Sequence, residues 1–211
     1  MNSLAHTVDE PRTARRLRIR QCEKGDAQAL ALVHVENLSG RFGLALTKAY
    51  YQACLESEQQ LFICAEQDGT IVGFLGLVGD RIQVIKLLLT GRALVALAGA
   101  ALRPSLVMEY FRHLWRWMRV RSFSRRLDLP HWEYRPVVVA QAYRSRGVAT
   151  HLLAAADRML DSRGVTKVFL QVASTNAGAL LVYQKSGFKI RLAHSSTIFM
   201  IKDLAGQHRL R

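Results

Sequence analysis

The sequence has few cysteines, and their placement argues against two common classes of small protein. Only Cys22, Cys54 and Cys64 occur among 211 residues, with no CxxC pair and no histidine at a metal-ligand spacing. Disulfide-rich secreted domains and structural zinc sites carry closely spaced, paired cysteines. The pattern therefore predicts a protein of a reducing compartment that has neither a disulfide framework nor a metal site.

Acidic residues are also scarce, and the imbalance is concentrated in one part of the chain. The sequence holds 30 Lys and Arg against 16 Asp and Glu, a formal net charge of +14. Residues 81–126 alone contain ten of the basic residues and a single acid, Glu109. A basic patch of this kind suits phosphate-bearing ligands, anionic lipid, an acidic carrier protein or nucleic acid.

Long uncharged apolar runs are missing as well. The N-terminal stretch MNSLAHTVDEPRTARRLRIR has no apolar core of the kind that a signal peptide needs. Within residues 82–102, Lys86 and Arg92 leave only the ten residues from Ala93 to Leu102 uncharged, whereas a membrane-spanning helix needs about 20. We therefore expect a cytoplasmic protein, with peripheral membrane contact as an open alternative.

What is present is a chain of globular composition, with half of its residues apolar. We expect one domain over residues 1–211, with residues 1–15 as a flexible tail. Asp68-Gly69 between two apolar runs is typical of a hairpin, and Asp26 stands where it would cap a helix. Strands are predicted at about 17–22, 61–67, 70–78, 132–141 and 167–173, with two closing strands within 188–201, and helices at about 27–38, 44–57, 147–162 and 176–186. This alternation predicts an α/β fold, a mixed sheet covered by helices.

A strand turns into a helix at the heptapeptide Arg144-Ser145-Arg146-Gly147-Val148-Ala149-Thr150. Free N–H groups and the helix dipole at such a place favour an anion. Gly147 lets the backbone approach a ligand closely, and Ala149 keeps the next outward position small. The two arginines add positive charge beside these donors. The alternative is a turn that needs its glycine for geometry alone.

This turn resembles the (Gln/Arg)-x-x-Gly-x-(Gly/Ala) signature of the GNAT superfamily of N-acetyltransferases, with Arg144, Gly147 and Ala149 at the marked positions. VFLQVASTNAGALLVYQKSGF (Val168 to Phe188) is similar to the family's next strand, its asparagine-led helix and its terminal Tyr…Gly-Phe. LRIRQCEKGDAQALALVH and IVGFLGLV resemble its first strand–helix unit and its hairpin. The likeness implies the GNAT fold: a central, mostly antiparallel sheet, with parallel strands splayed at the cofactor site, flanked by helices and extended here by a helical insert at 81–127.

The resemblance also implies a role for several segments in binding acetyl-CoA. The strand before the signature would lend backbone groups to the acetyl and pantetheine parts, and the turn would hold the pyrophosphate. Asn176 matches an asparagine that hydrogen-bonds the cofactor, and it also stands at an expected helix N-cap. The implied cofactor-binding residues are Val137, Val138, Val139, Arg144, Ser145, Arg146, Gly147, Val148, Ala149, Thr150 and Asn176.

The catalytic acid implied by the resemblance is Tyr183, which matches a tyrosine near the thiolate of departing CoA. A phenol holds its proton at neutral pH and needs no tuning for this role. The alternative is a core aromatic whose hydroxyl is satisfied within the protein.

The general base is where the sequence departs from some members of the family. Bacterial protein N-terminal acetyltransferases carry a glutamate on the strand that here reads VFLQV, but Gln171 stands at that position. Glutamine cannot take a proton. Glu133 is a substitute, since it lies eleven residues before Arg144, at the offset of the catalytic glutamate in histone-type members.

Strand alternation places Glu133 on the face of Val137 and Val139, if no bulge intervenes. A carboxylate there could remove the proton from an acceptor amine, directly or through a water. His131 is the second candidate base. The alternative for Glu133 is a structural ion pair with Arg135 or another arginine.

These features predict an N-acetyltransferase that moves an acetyl group from acetyl-CoA to a primary amine by direct attack in a ternary complex. No Cys, Ser or Lys stands in a nucleophile motif, so no covalent enzyme intermediate is expected. Two alternatives stay open: an enzyme with a longer acyl donor on CoA or acyl carrier protein, and a CoA-binding module without turnover. The acceptor is a small-molecule or peptide amine whose identity the sequence does not rank.

The basic insert has helical periodicity over residues 105–120, and a helical pair broken near Pro104 is expected. Aromatic and aliphatic residues fall on one side of the helix and arginines on the other. Such a helix suits a membrane interface, or it covers the acceptor cleft with its arginines solvated, which we favour. An acidic carrier protein or an anionic membrane surface is therefore a candidate partner, whereas no motif for specific nucleic-acid binding is present.

Overall fold

The structure, a computed structural model, describes residues 17–38, 43–57, 60–79 and 129–204. The predicted tail at 1–15 and the helical insert at 81–127 lie outside these residues. The described strands are β1 (Arg18–Gln21), β2 (Gln60–Gln67), β3 (Thr70–Val78), β4 (Trp132–Val139), β5 (Lys167–Ala173), β6 (Lys189–His194) and β7 (Thr197–Asp203). The described helices are α1 (Ala27–Asn37), α2 (Gly43–Leu55), α3 (Val148–Asp161) and α4 (Ala177–Lys185).

The described strands form a mixed sheet in the order β1-β2-β3-β4-β5-β7-β6. Neighbours are antiparallel except β4 and β5, which run parallel. Helices α1 and α2 pack on one face and α3 on the other. The predicted α/β fold, a mostly antiparallel sheet with one parallel pair, is confirmed. None of the described helices is long and apolar enough to cross a membrane.

Strands β2 and β3 read as nearly continuous apolar runs because both of their faces are covered. Along β2, Leu61 and Ile63 pack in the core under α3, and Phe62 and Cys64 pack in the core under α1 and α2. At the turn between the two strands, Asp68-Gly69 has φ values of 52° and 75°. Both lie in the left-handed region that a two-residue hairpin needs, so the hairpin prediction is confirmed.

Strand β4 contains a bulge at the point where it begins to leave β5. Leu77 pairs with Tyr134 and Leu75 with Val137, so Gly76 alone faces two residues, Arg135 and Pro136. A Cβ on Gly76 would lie 2.3 Å from the Arg135 carbonyl oxygen, which is why only glycine fits there. The parallel pairing of β4 and β5 is confined to Trp132 with Val168 and Glu133 with Phe169. Because a bulge bends its strand, β4 and β5 diverge beyond this point.

The bulge also corrects one prediction about the site. Glu133 lies opposite Val78, on the sheet face that Val138 shares with the core under α1 and α2. Val137 and Val139 instead pack against the core under α3. The prediction that Glu133 shares their face is therefore wrong, because one extra residue shifts the period-two alternation of the strand.

A second correction concerns Asp26, which precedes α1 but does not cap it with its side chain. Its carboxylate accepts hydrogen bonds from the Arg20 guanidinium at 2.7 and 2.9 Å and from the Glu23 N–H at 2.7 Å. Arg20 Nε also donates to Glu66 on β2 at 2.7 Å. The hydrogen bond from Arg20 lowers the pKa of the Asp26 carboxyl. Asp26 thus links β1, β2 and the start of α1 by charge-assisted hydrogen bonds. Its contact with the Glu23 N–H is half of a capping box on the short 3-10 turn Lys24–Asp26, and it does not cap α1 itself.

A buried polar cluster attaches α3 to the sheet. Lys202 Nζ on β7 lies 2.5 Å from Asp157 Oδ2 on α3, and the Tyr134 hydroxyl on β4 donates to Asp157 Oδ1 at 2.7 Å. All three side chains are buried. Burial, and then the nearby Asp157 charge, raises the pKa of Tyr134. Lys202 and Asp157 neutralise each other, so the cluster holds α3 against β4 and β7 without leaving an unpaired charge in the core.

We expect Lys202→Met to lower the free energy of unfolding by about 3–5 kcal/mol, since it leaves the Asp157 carboxylate buried without its ionic partner. The control is the double variant Lys202→Met with Asp157→Asn, in which the amide still accepts from Tyr134 and no charge is stranded. Urea denaturation at pH 7 measures both variants. A double variant as unstable as Lys202→Met alone would contradict this account of the cluster.

Candidate active site

The turn between β4 and α3 has the backbone of an anion site. Ser145 has a φ of 61° and Gly147, the N-cap of α3, a φ of 77°. The hydrogen bonds of α3 begin with His151 N–H donating to the Gly147 carbonyl at 3.0 Å. The N–H groups of the first helical turn, from Val148 onward, therefore have no intrahelical partner. Unpaired N–H groups at the positive end of a helix dipole favour an anion.

The two arginines of the turn have different environments. Arg146 is exposed, and its guanidinium lies over the Tyr143 ring, 5.5 Å from the centroid. Arg144 instead folds back, because its Nε donates to the Val139 carbonyl at 3.1 Å and its Nη2 to Asn37 Oδ1 at 3.2 Å. Arg146 thus adds positive charge at the exposed side of the turn, whereas Arg144 stabilises the end of β4 through its hydrogen bonds.

Asn37, the last residue of α1, is a functional candidate that the sequence argument did not find. Its Oδ1 accepts from the Gln141 N–H at 3.0 Å as well as from Arg144, and its Nδ2 donates to the Val33 carbonyl at 2.9 Å. One amide therefore ties α1 to both ends of the segment that leads into the turn. About a hundred residues separate the partners in sequence, so no local pattern could have indicated the contact.

His151 is a second residue that sequence reasoning missed. Its Nδ1 lies 2.9 Å from the Gly147 carbonyl oxygen, and because a carbonyl only accepts, Nδ1 must carry the hydrogen. The same carbonyl receives the first backbone hydrogen bond of α3. The ring thereby secures the left-handed N-cap residue. The local signal was a histidine four residues after a helix-starting glycine, a spacing that places its side chain over the first turn.

The segment of β4 beyond the bulge presents backbone to the gap. Val137, Val138 and Val139 pair with β3 on one side, and their pairing with β5 has ended at Glu133. Alternate backbone groups of this segment face the gap rather than a neighbouring strand. Their side chains are divided between the two cores, with Val138 under α1 and α2 and the other two valines under α3.

Glu133 and Gln171 meet across the gap where β4 and β5 part. Glu133 is only 1% exposed, and Gln171 Nε2 donates to its Oε1 at 2.7 Å. Tyr50 on α2 belongs to the same neighbourhood. Burial raises the pKa of Tyr50 well above its usual value. Cys54 and the Glu133 charge raise this pKa further, whereas the Arg135 charge lowers it. The structure thus joins Glu133 to the one glutamine that the sequence argument had counted against catalysis.

Tyr183 on α4 lies in the core under α3, the opposite side of the sheet from Glu133. Its ring packs edge-on against Phe188, with 6.1 Å between centroids. Burial raises the pKa of Tyr183 to about 12, so the phenol keeps its proton across the physiological range. Among the described residues no side chain hydrogen-bonds its hydroxyl, in contrast to Tyr134 nearby.

The two remaining candidates lie just outside the strands, His131 before β4 and Asn176 after β5. Asn176 is exposed and caps α4, since its Oδ1 accepts from the Ala179 N–H at 3.1 Å. The expected N-cap is therefore confirmed. His131 is exposed one residue before β4, and its ring packs edge-on with Trp132 at 6.3 Å between centroids.

The sheet also brings together two cysteines that are far apart in sequence. Cys22 Sγ, Cys64 Sγ and an Asp26 carboxylate oxygen lie within 4.8 Å of one another, beside the pairing of β1 with β2. Spacing along the chain gave no sign of this cluster. Both Asp26 oxygens already accept hydrogen bonds from Arg20 or Glu23. We interpret the cluster as part of the core under α1 and α2.

Residues 29–188 match the model of the Acetyltransferase (GNAT) family. The matched range includes the turn, the gap between β4 and β5, and the helix that carries Tyr183. No curated protein sequence matches the chain significantly.

Three solved structures show the similarity of fold. An aminoglycoside 6'-acetyltransferase type Ii has a TM-score of 0.59 at 15% identity, over 90% of this chain and 99% of that chain. The ribosomal-protein-S18-alanine N-acetyltransferase from Escherichia coli has a TM-score of 0.58 at 16% identity, over 91% and 97%. A PaiA N-acetyltransferase from Thermoplasma acidophilum, in complex with coenzyme A, has a TM-score of 0.54 at 16% identity, over 89% and 99%.

We expect Gly147→Glu to weaken coenzyme A binding by at least about tenfold, or about 1.4 kcal/mol. The variant places an acidic side chain at a left-handed position beside the N–H groups of α3. Gly147→Asn is the matched control, because asparagine tolerates this conformation and adds no charge. Calorimetric titration measures both, with circular dichroism to verify folding. Equal affinity in a folded Gly147→Glu variant would remove the pyrophosphate site from this turn.

Proposed function

The chain belongs to the GNAT acetyltransferase family, and from that premise we propose that it moves the acetyl group of acetyl-CoA to a primary amine by direct attack in a ternary complex. It is an acyltransferase with acetyl-CoA as co-substrate. One observation carries the proposal, namely the set of groups around the gap between β4 and β5. The buried Glu133 carboxylate lies on one face of the sheet, Tyr183 lies on the other, and the turn with free N–H groups before α3 lies at the end of β4.

The residues of the turn and of β4 fit the co-substrate. The free N–H groups at the start of α3, with Arg146 beside them, would hold the pyrophosphate. The unpaired backbone edge over Val137–Val139 would bind the pantetheine arm and donate to the thioester carbonyl. Asn176 at the start of α4 would hydrogen-bond the same arm. When bound, acetyl-CoA supplies a thioester, an electrophile that an unprotonated amine attacks directly.

Glu133 is proposed as the general base. An acceptor amine arrives mostly protonated, so a carboxylate must take a proton before attack. The Glu133 carboxylate lies at the parting of the strands, and α2 approaches the same face through Tyr50. The acceptor would therefore enter from the α1/α2 side, and the proton would go to Glu133 directly or through a water.

Tyr183 is proposed as the general acid. It lies on the opposite face of the sheet, where its raised pKa keeps the phenol protonated. A phenol with no partner among the described residues can donate its proton to a leaving thiolate, which otherwise would leave as an anion. With base and acid on opposite faces, one group would take the proton of the amine and a separate group would protonate the sulfur when the tetrahedral intermediate expels it.

The acceptor is proposed to be a small-molecule or peptide amine. The fold itself does not choose between these classes, because similar structures include an aminoglycoside acetyltransferase and an acetyltransferase of a ribosomal protein. A panel of amino sugars, polyamines, amino acids and peptides, monitored by release of the CoA thiol, separates them. The same assay with acyl donors of increasing length tests the alternative of a longer acyl group.

We expect Glu133→Gln to lower kcat by about 10²- to 10⁴-fold, as loss of a general base implies. Affinity for acetyl-CoA should be unchanged, because the turn and the β4 backbone are unaltered. Glu36→Gln, an exposed change on α1, is the charge-matched control. Steady-state kinetics from pH 6 to 9 and calorimetry measure the two effects. Full activity of Glu133→Gln over this range would exclude Glu133 as the base.

The basic insert at 81–127, outside the described residues, is proposed to attract the acceptor or an acidic carrier. Changing Arg112, Arg116 and Arg119 together to Gln should raise the acceptor KM and flatten its dependence on salt, since screened attraction would be lost. The KM for acetyl-CoA should not change. Initial rates at several salt concentrations measure both constants.

The control for the insert removes the same charge elsewhere, from Arg158, Arg163 and Arg191, which are exposed. Flotation with anionic liposomes separates the rival account of the insert. If the wild type floats with the liposomes and the insert variant does not, the segment is a membrane anchor rather than a rim of the acceptor cleft.

A further inference from the structure

The contact between Glu133 and Gln171 joins two strands at the last point where they are still close. Glu133 pairs with Phe169, and Gln171 lies two residues further along β5, on the same face of the sheet. Beyond this point β4 and β5 share no backbone pairing. The side chains nevertheless meet, with Gln171 Nε2 donating to Glu133 Oε1 at 2.7 Å.

The surroundings of Gln171 explain why its amide turns toward Glu133. Its neighbours on that face of the sheet, Phe169 along β5 and Phe199 directly opposite on β7, are buried aromatic residues. Neither side chain can accept a conventional hydrogen bond from an amide. Gln171 is half-buried, and the Glu133 carboxylate beside it accepts the hydrogen of its amide.

The hydrogen bond limits the rotation of the Glu133 carboxylate. Gln171 Nε2 donates to Oε1, and a carboxylate accepts several hydrogen bonds at once. The donated hydrogen holds the Glu133 side chain across the gap, where the proposed acceptor enters. A base held in one rotamer loses less freedom when the amine arrives, which is the usual advantage of a preorganised catalytic group.

We propose that Gln171 is the positioning residue of the general base. We also propose that the carboxylate and the amide can exchange positions 133 and 171 without loss of the catalytic pair. The inference rests on the proposed function of Glu133. Glutamate and glutamine have nearly the same shape, and the two polar atoms are one hydrogen bond apart. Exchanging the two residues keeps one carboxylate hydrogen-bonded to one amide. The exchange moves the carboxylate by about the length of that hydrogen bond, so the carboxylate still faces the gap between β4 and β5.

The test compares Glu133→Gln, Gln171→Glu and the exchanged double variant. Glu133→Gln leaves two amides and no base. Gln171→Glu sets two carboxylates at hydrogen-bonding distance, and like charges there repel. The double variant restores one carboxylate and one amide. We expect its kcat to exceed that of both single variants, by at least about tenfold over Glu133→Gln, a gain of about 1.4 kcal/mol.

Gln171→Met provides a second measurement that does not depend on the exchange. Methionine has a similar length but no donor, so it removes the hydrogen bond and keeps the packing. We expect kcat to fall by about tenfold, with the KM of the acceptor and the affinity for acetyl-CoA unchanged. A purely structural glutamine would instead lower the melting temperature and leave kcat of the folded fraction intact.

The control for the exchange is the pair Glu36→Gln and Gln52→Glu, which alters two exposed residues and keeps the net charge. It should leave kcat at the wild-type value. The double variant Glu133→Gln/Gln171→Glu must fold and bind CoA for the comparison to count. If its kcat is then no higher than that of Glu133→Gln, the proposal that the two residues can be exchanged is overturned. If Glu133→Gln alone is fully active, the proposed base itself fails, and this inference fails with it.

Discussion

The divergence of β4 from β5 is the constraint on which the site depends. The bulge at Arg135 and Pro136 bends β4, and Gly76 makes room for the bulge because a Cβ would lie 2.3 Å from the Arg135 carbonyl oxygen. A continuous parallel ladder would have consumed the backbone groups of β4 and closed the gap. The fold thus has an opening in the middle of its sheet, lined by unpaired backbone of β4, and it is the place where we propose that acyl transfer occurs.

The opening needs support from both of its sides, and the chain supplies it with polar links of long sequence separation. On one side, the Asn37 amide and Arg144 fix the turn to the end of α1. On the other, Asp157 and Lys202 hold α3 to β7, with Tyr134 completing the cluster. These links hold α1, the turn and α3 to the sheet on either side of the gap.

The proposed reaction uses the two faces of the sheet differently. Glu133 and Gln171 lie on the face of α1 and α2, where Tyr50 also approaches, whereas Tyr183 lies on the face of α3. A thioester in the gap would meet a base and an amine from one side and a proton donor from the other. The glutamine that made catalysis doubtful in the sequence becomes, in the structure, a partner of the carboxylate proposed to act.

Local patterns in the sequence were enough to predict the strands and helices that the structure describes, the hairpin at Asp68-Gly69 and the turn at Gly147, because each depends on neighbours within a few residues. The cap assigned to Asp26 and the face assigned to Glu133 were wrong for the opposite reason. Arg20 competes for that carboxylate, and the bulge shifts the alternation along β4. The contacts of Asn37 with Arg144 and of Glu133 with Gln171 join residues 107 and 38 positions apart. Only the pairing of strands and the packing of α1 decide such contacts, since no residue in one segment carries a sign of its partner in another.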